Sequence, residues 1–127
     1  MTPGSRILVV DDEPMIRDSL VEFLEDHGYE AVGAADGREA LSVLSGSSHR
    51  TGLILLDLMM PFMDGRAFRE EQLANPGLSE IPVIVFSAYR DLERTADELQ
   101  AVAHLPKPLK LSELLRLVRQ YCGGEGI

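Results

Sequence analysis

The stretch Leu53-Ile-Leu-Leu-Asp-Leu-Met-Met-Pro-Phe-Met-Asp-Gly65 sets a single carboxylate, Asp57, between an aliphatic run and a Met-Met-Pro turn. Residues Leu53–Leu56 are apolar at every position rather than at alternate ones, which marks a strand covered on both faces and hence a parallel sheet with helices on each side. Four more runs are apolar at nearly every position: Arg6–Val10, Ala31–Ala34, Val83–Phe86 and Ala101–Leu105. Between them lie segments with helical spacing. The first opens at Pro14, aligns Ile16, Leu20, Phe23 and Leu24, and stops at Gly28. The second opens at Asp36, with Glu39 placed to reach back as in a capping box, and carries Ala40, Leu41 and Leu44 to Gly46. A third follows Asp64 with Phe68 and Leu73 as anchors. A fourth spans Arg90–Gln100 on Leu92, Ala96 and Leu99. The last opens near Ser112 and presents Leu114, Leu115, Val118 and Cys122 before Gly123, while Asn75–Gly77 reads as a turn. Five strand–helix units of this length predict an α/β, flavodoxin-like, doubly wound parallel sheet.

The chain has 127 residues, enough for one domain, with a core expected at about 5–121 and a flexible tail or the start of a linker at 123–127. Its 21 acidic against 12 basic residues give a formal net charge of -9, which repels nucleic acid and anionic lipid. One cysteine excludes an internal disulfide framework and suits a reducing compartment. No apolar run approaches the ~20 residues of a membrane span, and the N-terminus has no signal-peptide core. The expected setting is the cytoplasm.

In such a sheet ligands gather beyond the carboxyl ends of the strands. Asp11 and Asp12 follow the first strand, Asp57 ends the third, Ser87 the fourth, and Lys107 follows the fifth. Crowded carboxylates need a compensating cation, and an all-oxygen donor set favours Mg2+, which seeks phosphoryl oxygens. A carboxylate beside Mg2+ and a lysine can attack phosphorus, with Ser87 donating to the same oxygens. Taken singly, each group has a plainer reading: an acid pair or a serine caps a loop, and a lysine between prolines is solvated. Their coincidence at four strand ends favours the chemical reading. His27 suits the end of the first helix, His49 a solvated loop and Cys122 the core.

These residues resemble the receiver domains of two-component response regulators, on "ILVVDDEP" (Ile7–Pro14), "LLDLMMPFMDG" (Leu55–Gly65), "PVIVFSA" (Pro82–Ala88) and "KP" (Lys107–Pro108), a likeness covering Ser5 to Tyr121. The resemblance implies strand order 2-1-3-4-5 and phosphoryl transfer to Asp57 from a phosphohistidine on a sensor histidine kinase or a phosphotransfer protein. It implies Mg2+ held by Asp12, Asp57 and the Met59 backbone carbonyl, with Asp11 acting through water. Ser87 would bind the phosphoryl group and move inward. Lys107 would pair with Asp57 or the phosphate, its placement aided by a cis bond to Pro108, and Gly65 and Pro61 would shape the loop past the nucleophile. The output would be an altered partner-binding surface, with no catalysis beyond the domain's own phosphorylation and dephosphorylation, on a monomer or weak homodimer.

The sequence departs from the family pattern in three places. His104 stands where an aromatic residue usually swings inward with the hydroxyl, and it is the candidate switch residue here. The segment from Ser87 to Lys107 is short and lacks the glycine that ends the fourth helix, which predicts a shortened or irregular helix. Ser87 replaces the commoner threonine. Met59 and Tyr89, bulky beside the phosphorylation site, predict slow self-hydrolysis. Competing readings are weaker. An aspartate-nucleophile phosphatase would need a general acid at Met59, and a flavin-binding protein would need a hydroxyl- and glycine-rich loop in place of "DDE". A receiver-like interaction scaffold not regulated by phosphorylation is the runner-up, opposed by the complete set of Asp11, Asp12, Asp57, Ser87 and Lys107.

Overall fold

Strands and helices alternate from end to end of the computed structural model, which describes residues 6–46, 50–58, 64–88 and 92–122. They are β1 (Arg6–Val10), α1 (Pro14–Asp26), β2 (Ala31–Ala34), α2 (Gly37–Gly46), β3 (Thr51–Asp57), α3 (Gly65–Leu73), β4 (Val83–Ser87), α4 (Leu92–Glu98), β5 (Ala103–Pro106) and α5 (Leu111–Tyr121). Every pairing is parallel and the order is β2-β1-β3-β4-β5. This is the flavodoxin-like, doubly wound sheet expected from the sequence, and its strand order reverses between β1 and β3.

The unbroken apolar runs have a direct cause. Successive strand residues point to opposite faces, so a sheet covered twice needs both sets apolar. Leu8, Val10, Ile54, Leu56, Val83 and Val85 pack with Phe68, Leu92 and Ala96 of α3 and α4. Ile7, Val9, Leu53, Leu55, Ile84 and Phe86 pack with Leu20 and Leu24 of α1 and with Leu114 and Val118 of α5. Each such side chain contributes about 1.5–3 kcal/mol on burial, so Leu55→Ala costs about 2–5 kcal/mol.

Local signals fix the helix ends. Asp36 Oδ1 accepts from the Glu39 N–H at 2.9 Å, and Glu39 Oε1 accepts from the Ala35 N–H at 3.3 Å. Asp64 caps α3 by accepting from the Ala67 N–H. α1 ends at His27, whose Nδ1 lies 2.9 Å from the Phe23 carbonyl and whose ring meets that of Phe23 at a tilt of 46°, and Gly28 then turns the chain at φ 90°. At Asn75 the side chain accepts from the Gly77 N–H, making the expected turn.

Three expectations need correction. β5 begins at Ala103 rather than Ala101, because the Ala101 N–H closes the exit of α4 on the Ala96 carbonyl. Leu73 does not anchor α3: it is 39% exposed, while Phe68, Arg69 and Gln72 are buried. Phe68 and Gln72 are four residues apart and share a face, whereas Leu73 is turned further round the helix. Cys122 is the C-cap of α5 and only half-buried against the core.

The inward polar residues of α3 account for the irregular end of α4. With no glycine available, Gln100 takes φ 58°, a left-handed conformation uncommon for a side chain of its size. Arg69 satisfies the carbonyls there, donating from Nε to Leu99 at 2.8 Å and from Nη2 to Gln100 at 3.0 Å. Its Nη1 donates to Gln72 Oε1, and Gln72 Nε2 donates to the carbonyls of Leu78 and Ile81. α4 is described over Leu92–Glu98, and Arg90, where the expected helix begins, lies outside the described residues.

Candidate functional site

Parallel register places the chemistry on one edge. Val10 pairs with both Ala34 and Leu56, Asp57 with Phe86, and Ser87 with Pro106, so the residues at and after these positions leave the sheet together. One carboxylate oxygen from each of Asp11, Asp12 and Asp57 lies within 4.8 Å of the others. Asp57 is the last residue of β3 and is 1% exposed. Ser87, the last residue of β4, is fully buried.

Lys107 completes the cluster. Its Nζ donates to Asp57 Oδ2 at 3.1 Å and sits 5.5 Å from the centre of the Phe86 ring. The backbone holds it there from both sides: its N–H donates to the Ser87 carbonyl at 3.0 Å, and the following bond to Pro108 is cis, as the resemblance implies. Burial pulls the Lys107 pKa down, but the hydrogen bond and charge of Asp57, with Asp11 and Glu13 behind it, outweigh burial and raise it.

Gly65 fixes the other side of the nucleophile. A Cβ there would meet the Leu58 Cα at 2.8 Å and the Asp57 carbonyl oxygen at 2.9 Å. Glycine alone lets α3 start this close to the end of β3.

Asp11 carries the strain of the arrangement. Burial, then the charges of Asp57 and Asp12, push its pKa from 3.8 to about 6, against the lowering effects of the Glu13 N–H bond and Lys107. Its two oxygens differ: Oδ1 accepts from the Glu13 N–H at 2.9 Å, whereas Oδ2 is buried with no hydrogen-bond partner among the described residues. A carboxylate oxygen left open beside two more carboxylates fits a hard divalent cation, and among the described residues neither His nor Cys belongs to the group. The receiver-domain family generally binds Mg2+ at such an acidic pocket.

Of the other sequence candidates, His104 is exposed on β5 opposite Val85, and the buried side chain beside it is Leu105. Met59, Pro61, Tyr89 and His49 lie outside the described residues. Two residues escaped the sequence reading. Arg17 of α1 donates from Nη1 to the Asp11 carbonyl at 3.1 Å, and Gly33 of β2 lies under the arginine stem. The available signal was the glycine inside a strand, which marks a close approach.

An apolar groove of about 620 Å3, lined by Met15, Ile16, Leu20, Pro108 and Leu109, opens beside Lys107. No helix among the described residues is long and apolar enough to cross a membrane.

Comparison with known proteins agrees with this geometry. The family model for the response regulator receiver domain matches residues 7–119. The chain is 37% identical over 111 residues to the transcriptional regulatory protein PdtaR of Mycobacterium tuberculosis, covering 87% of this chain and 53% of that protein. It is 40% identical over 116 residues to the response regulator MprA of Mycolicibacterium vanbaalenii, covering 90% and 48%. The chain thus spans about half the length of these curated relatives. Among solved structures, a response regulator receiver protein from Pseudomonas putida superposes with TM-score 0.85 at 33% identity, covering 94% of this chain and 99% of that one. The response regulator TrrA of Thermotoga maritima, solved in complex with Mg(2+)-BeF, superposes with TM-score 0.79 at 32% identity, covering 92% and 98%. Sheet order, acidic pocket and sequence likeness converge, and the chain belongs to the response regulator receiver domain family of two-component systems.

Proposed function

We propose that this receiver domain accepts a phosphoryl group on Asp57 from a phosphohistidine of a sensor histidine kinase or phosphotransfer protein. The observation that carries the reading is the buried Asp57 carboxylate, 3.1 Å from the Lys107 ammonium and clustered with Asp11 and Asp12. Asp11, Asp12, Asp57 and the Met59 carbonyl would hold Mg2+. The ion supplies charge neutralisation to the phosphoryl oxygens.

The chain's own residues supply the rest. An Asp57 oxygen attacks phosphorus, the phosphorus–nitrogen bond of the donor breaks, and the departing imidazole nitrogen takes up a proton. Lys107 exchanges its carboxylate partner for a phosphoryl oxygen and keeps its positive charge at the site. The Ser87 hydroxyl donates to a second phosphoryl oxygen and thereby draws β4 toward the modified aspartate. With Asp57 and Ser87 buried, little solvent reaches the acyl phosphate from beneath the edge. The altered edge of β4 and β5, including His104, is what a downstream partner or an output domain reads. The chain catalyses only its own phosphorylation and dephosphorylation. The reading puts this chain in the cytoplasm, where such a donor would present its phosphohistidine.

Incubation with Mg2+ and acetyl phosphate, read by intact mass, tests the reading. The expected result is a gain of one phosphoryl group that Asp57→Asn abolishes. No gain in the wild type would overturn it and leave the interaction scaffold.

A further inference from the structure

Gly33 leaves a notch in the edge strand β2, and the Arg17 stem occupies it. A Cβ at Gly33 would lie 2.9 Å from both Cγ and Cδ of Arg17 and 3.4 Å from its Nε. From the notch the guanidinium reaches the Asp11 main-chain carbonyl, 3.1 Å from Nη1. Among the described residues its ion pairing is slight: Asp18 Oδ1 is 3.9 Å from Nε on a side chain 78% exposed, against 19% for Arg17. The Asp11 backbone is therefore held on both sides. Its N–H donates to the Ala34 carbonyl of β2 at 3.0 Å, and its carbonyl accepts from α1.

That carbonyl belongs to the planar peptide unit joining Asp11 to Asp12. Its orientation sets ψ of Asp11 and φ of Asp12, and so the directions in which both carboxylates leave the backbone. We infer that Arg17, seated over Gly33, is a positioning residue that orients the Asp11–Asp12 peptide so that both carboxylates face one cation. This rests on the Mg2+ site proposed above. The sign of the effect separates geometry from charge. A cation near the site repels Mg2+, so charge alone would make loss of Arg17 tighten binding. Positioning makes the same loss weaken it.

The test is Mg2+ titration calorimetry on the wild type, Arg17→Met, Arg17→Lys, Gly33→Val and the Arg17→Met/Gly33→Val double variant, with urea unfolding in chelator alongside. Methionine keeps an unbranched stem and drops the donor. Valine suits a strand, fills the notch and leaves the charge in place. Arg17→Met and Gly33→Val should each raise the Mg2+ dissociation constant roughly tenfold, as loss of a ligand's supporting hydrogen bond commonly does. The double variant should be no worse than either single, and Arg17→Lys should recover part of the affinity. In metal-free protein, exchange of the Glu13 amide should quicken in Arg17→Met and Gly33→Val by more than their change in stability accounts for. A wild type that binds no Mg2+ overturns this inference and the proposed function together. A wild type that binds, with Arg17→Met equal or tighter, overturns the role of Arg17 alone. Additive losses in the double variant overturn the notch as its means. If Gly33→Val fails to fold, the Arg17→Met and Arg17→Lys pair decides.

Discussion

Lys107 Nζ lies 3.1 Å from Asp57 Oδ2, and the two partners differ in their access to water: the lysine side chain is 22% exposed and the aspartate 1%. That inequality makes loss of one partner unlike loss of the other. In Lys107→Met the Asp57 carboxylate stays buried beside Asp11 and Asp12 with its cation gone, a situation that costs about 3 kcal/mol in a buried pair. In Asp57→Asn the lysine can swing its stem toward solvent, and carboxylate crowding falls. Urea unfolding in chelator at pH 8 should show a larger loss for Lys107→Met than for Asp57→Asn. Equal losses would mean that the pair is not what holds the ionised aspartate in place.

Asp11 gives the metal-free protein an inverted pH dependence at this site. A carboxylate whose pKa rises from 3.8 to about 6 on folding binds its proton more tightly in the folded state. The stabilisation is complete below about pH 4 and is withdrawn as pH climbs through about 6. A shift of this size corresponds to about 3 kcal/mol at most. Asp11→Asn should therefore unfold at higher urea than the wild type at pH 8 in chelator, and at the same urea near pH 4. Millimolar Mg2+ should reverse the order at pH 8 by stabilising the wild type alone. A difference that does not change with pH would show that burial, rather than ionisation, sets the Asp11 contribution.

The sequence exposes features that repeat a period or place rare residue types at element ends. Leu53–Leu56 announces a doubly covered strand because both faces must be apolar, and Asp57 then stands out as the one acid at the end of that apolar run. Asp36 and Glu39 are similarly legible, since capping is local in sequence. The inward turn of Gln72 in place of Leu73 was hidden. Its cause is the set of carbonyls at Leu78, Ile81, Leu99 and Gln100 that Arg69 and Gln72 satisfy, and none of these partners is determined by spacing along α3. The Arg17–Gly33 contact was hidden for the same reason: it joins α1 to β2 across the end of the sheet.

Arg69 should behave as a structural cation that lysine cannot replace. It is 5% exposed, burial lowers its pKa, and its three hydrogen bonds diverge in the plane of the guanidinium. Arg69→Met leaves two backbone carbonyls and the Gln72 amide oxygen without donors, at a cost of about 3 kcal/mol. A lysine has a point charge on a flexible stem and cannot serve three acceptors set in that fork, so Arg69→Lys should recover less than half of the loss. Hydrogen exchange should show the release concentrated at Leu99–Ala101 and the end of α4. Uniform loosening of the whole domain would argue that Arg69 acts through the general core instead.

Met15 tests how the phosphoryl donor reaches Asp57. It is 84% exposed at the start of α1, where an isolated large apolar side chain gains nothing from the fold, and it rims the groove that ends at Lys107. A protein donor that docks over this groove would bring its histidine in beside Lys107 and Asp57, whereas a small donor needs only the pocket. Met15→Glu puts a charge where apolar surfaces would close, and desolvating it without a partner weakens the encounter complex. Transfer from a phosphorylated histidine phosphotransfer domain that serves the wild type should fall at least tenfold, a loss of about 1.4 kcal/mol in the approach to the transition state. Phosphorylation by acetyl phosphate should be unchanged, because Met15 is neither one of the clustered carboxylates nor the lysine that donates to Asp57. A parallel fall in both reactions would place the defect in the acidic pocket, and equal transfer from the protein donor would show that the donor docks on another face.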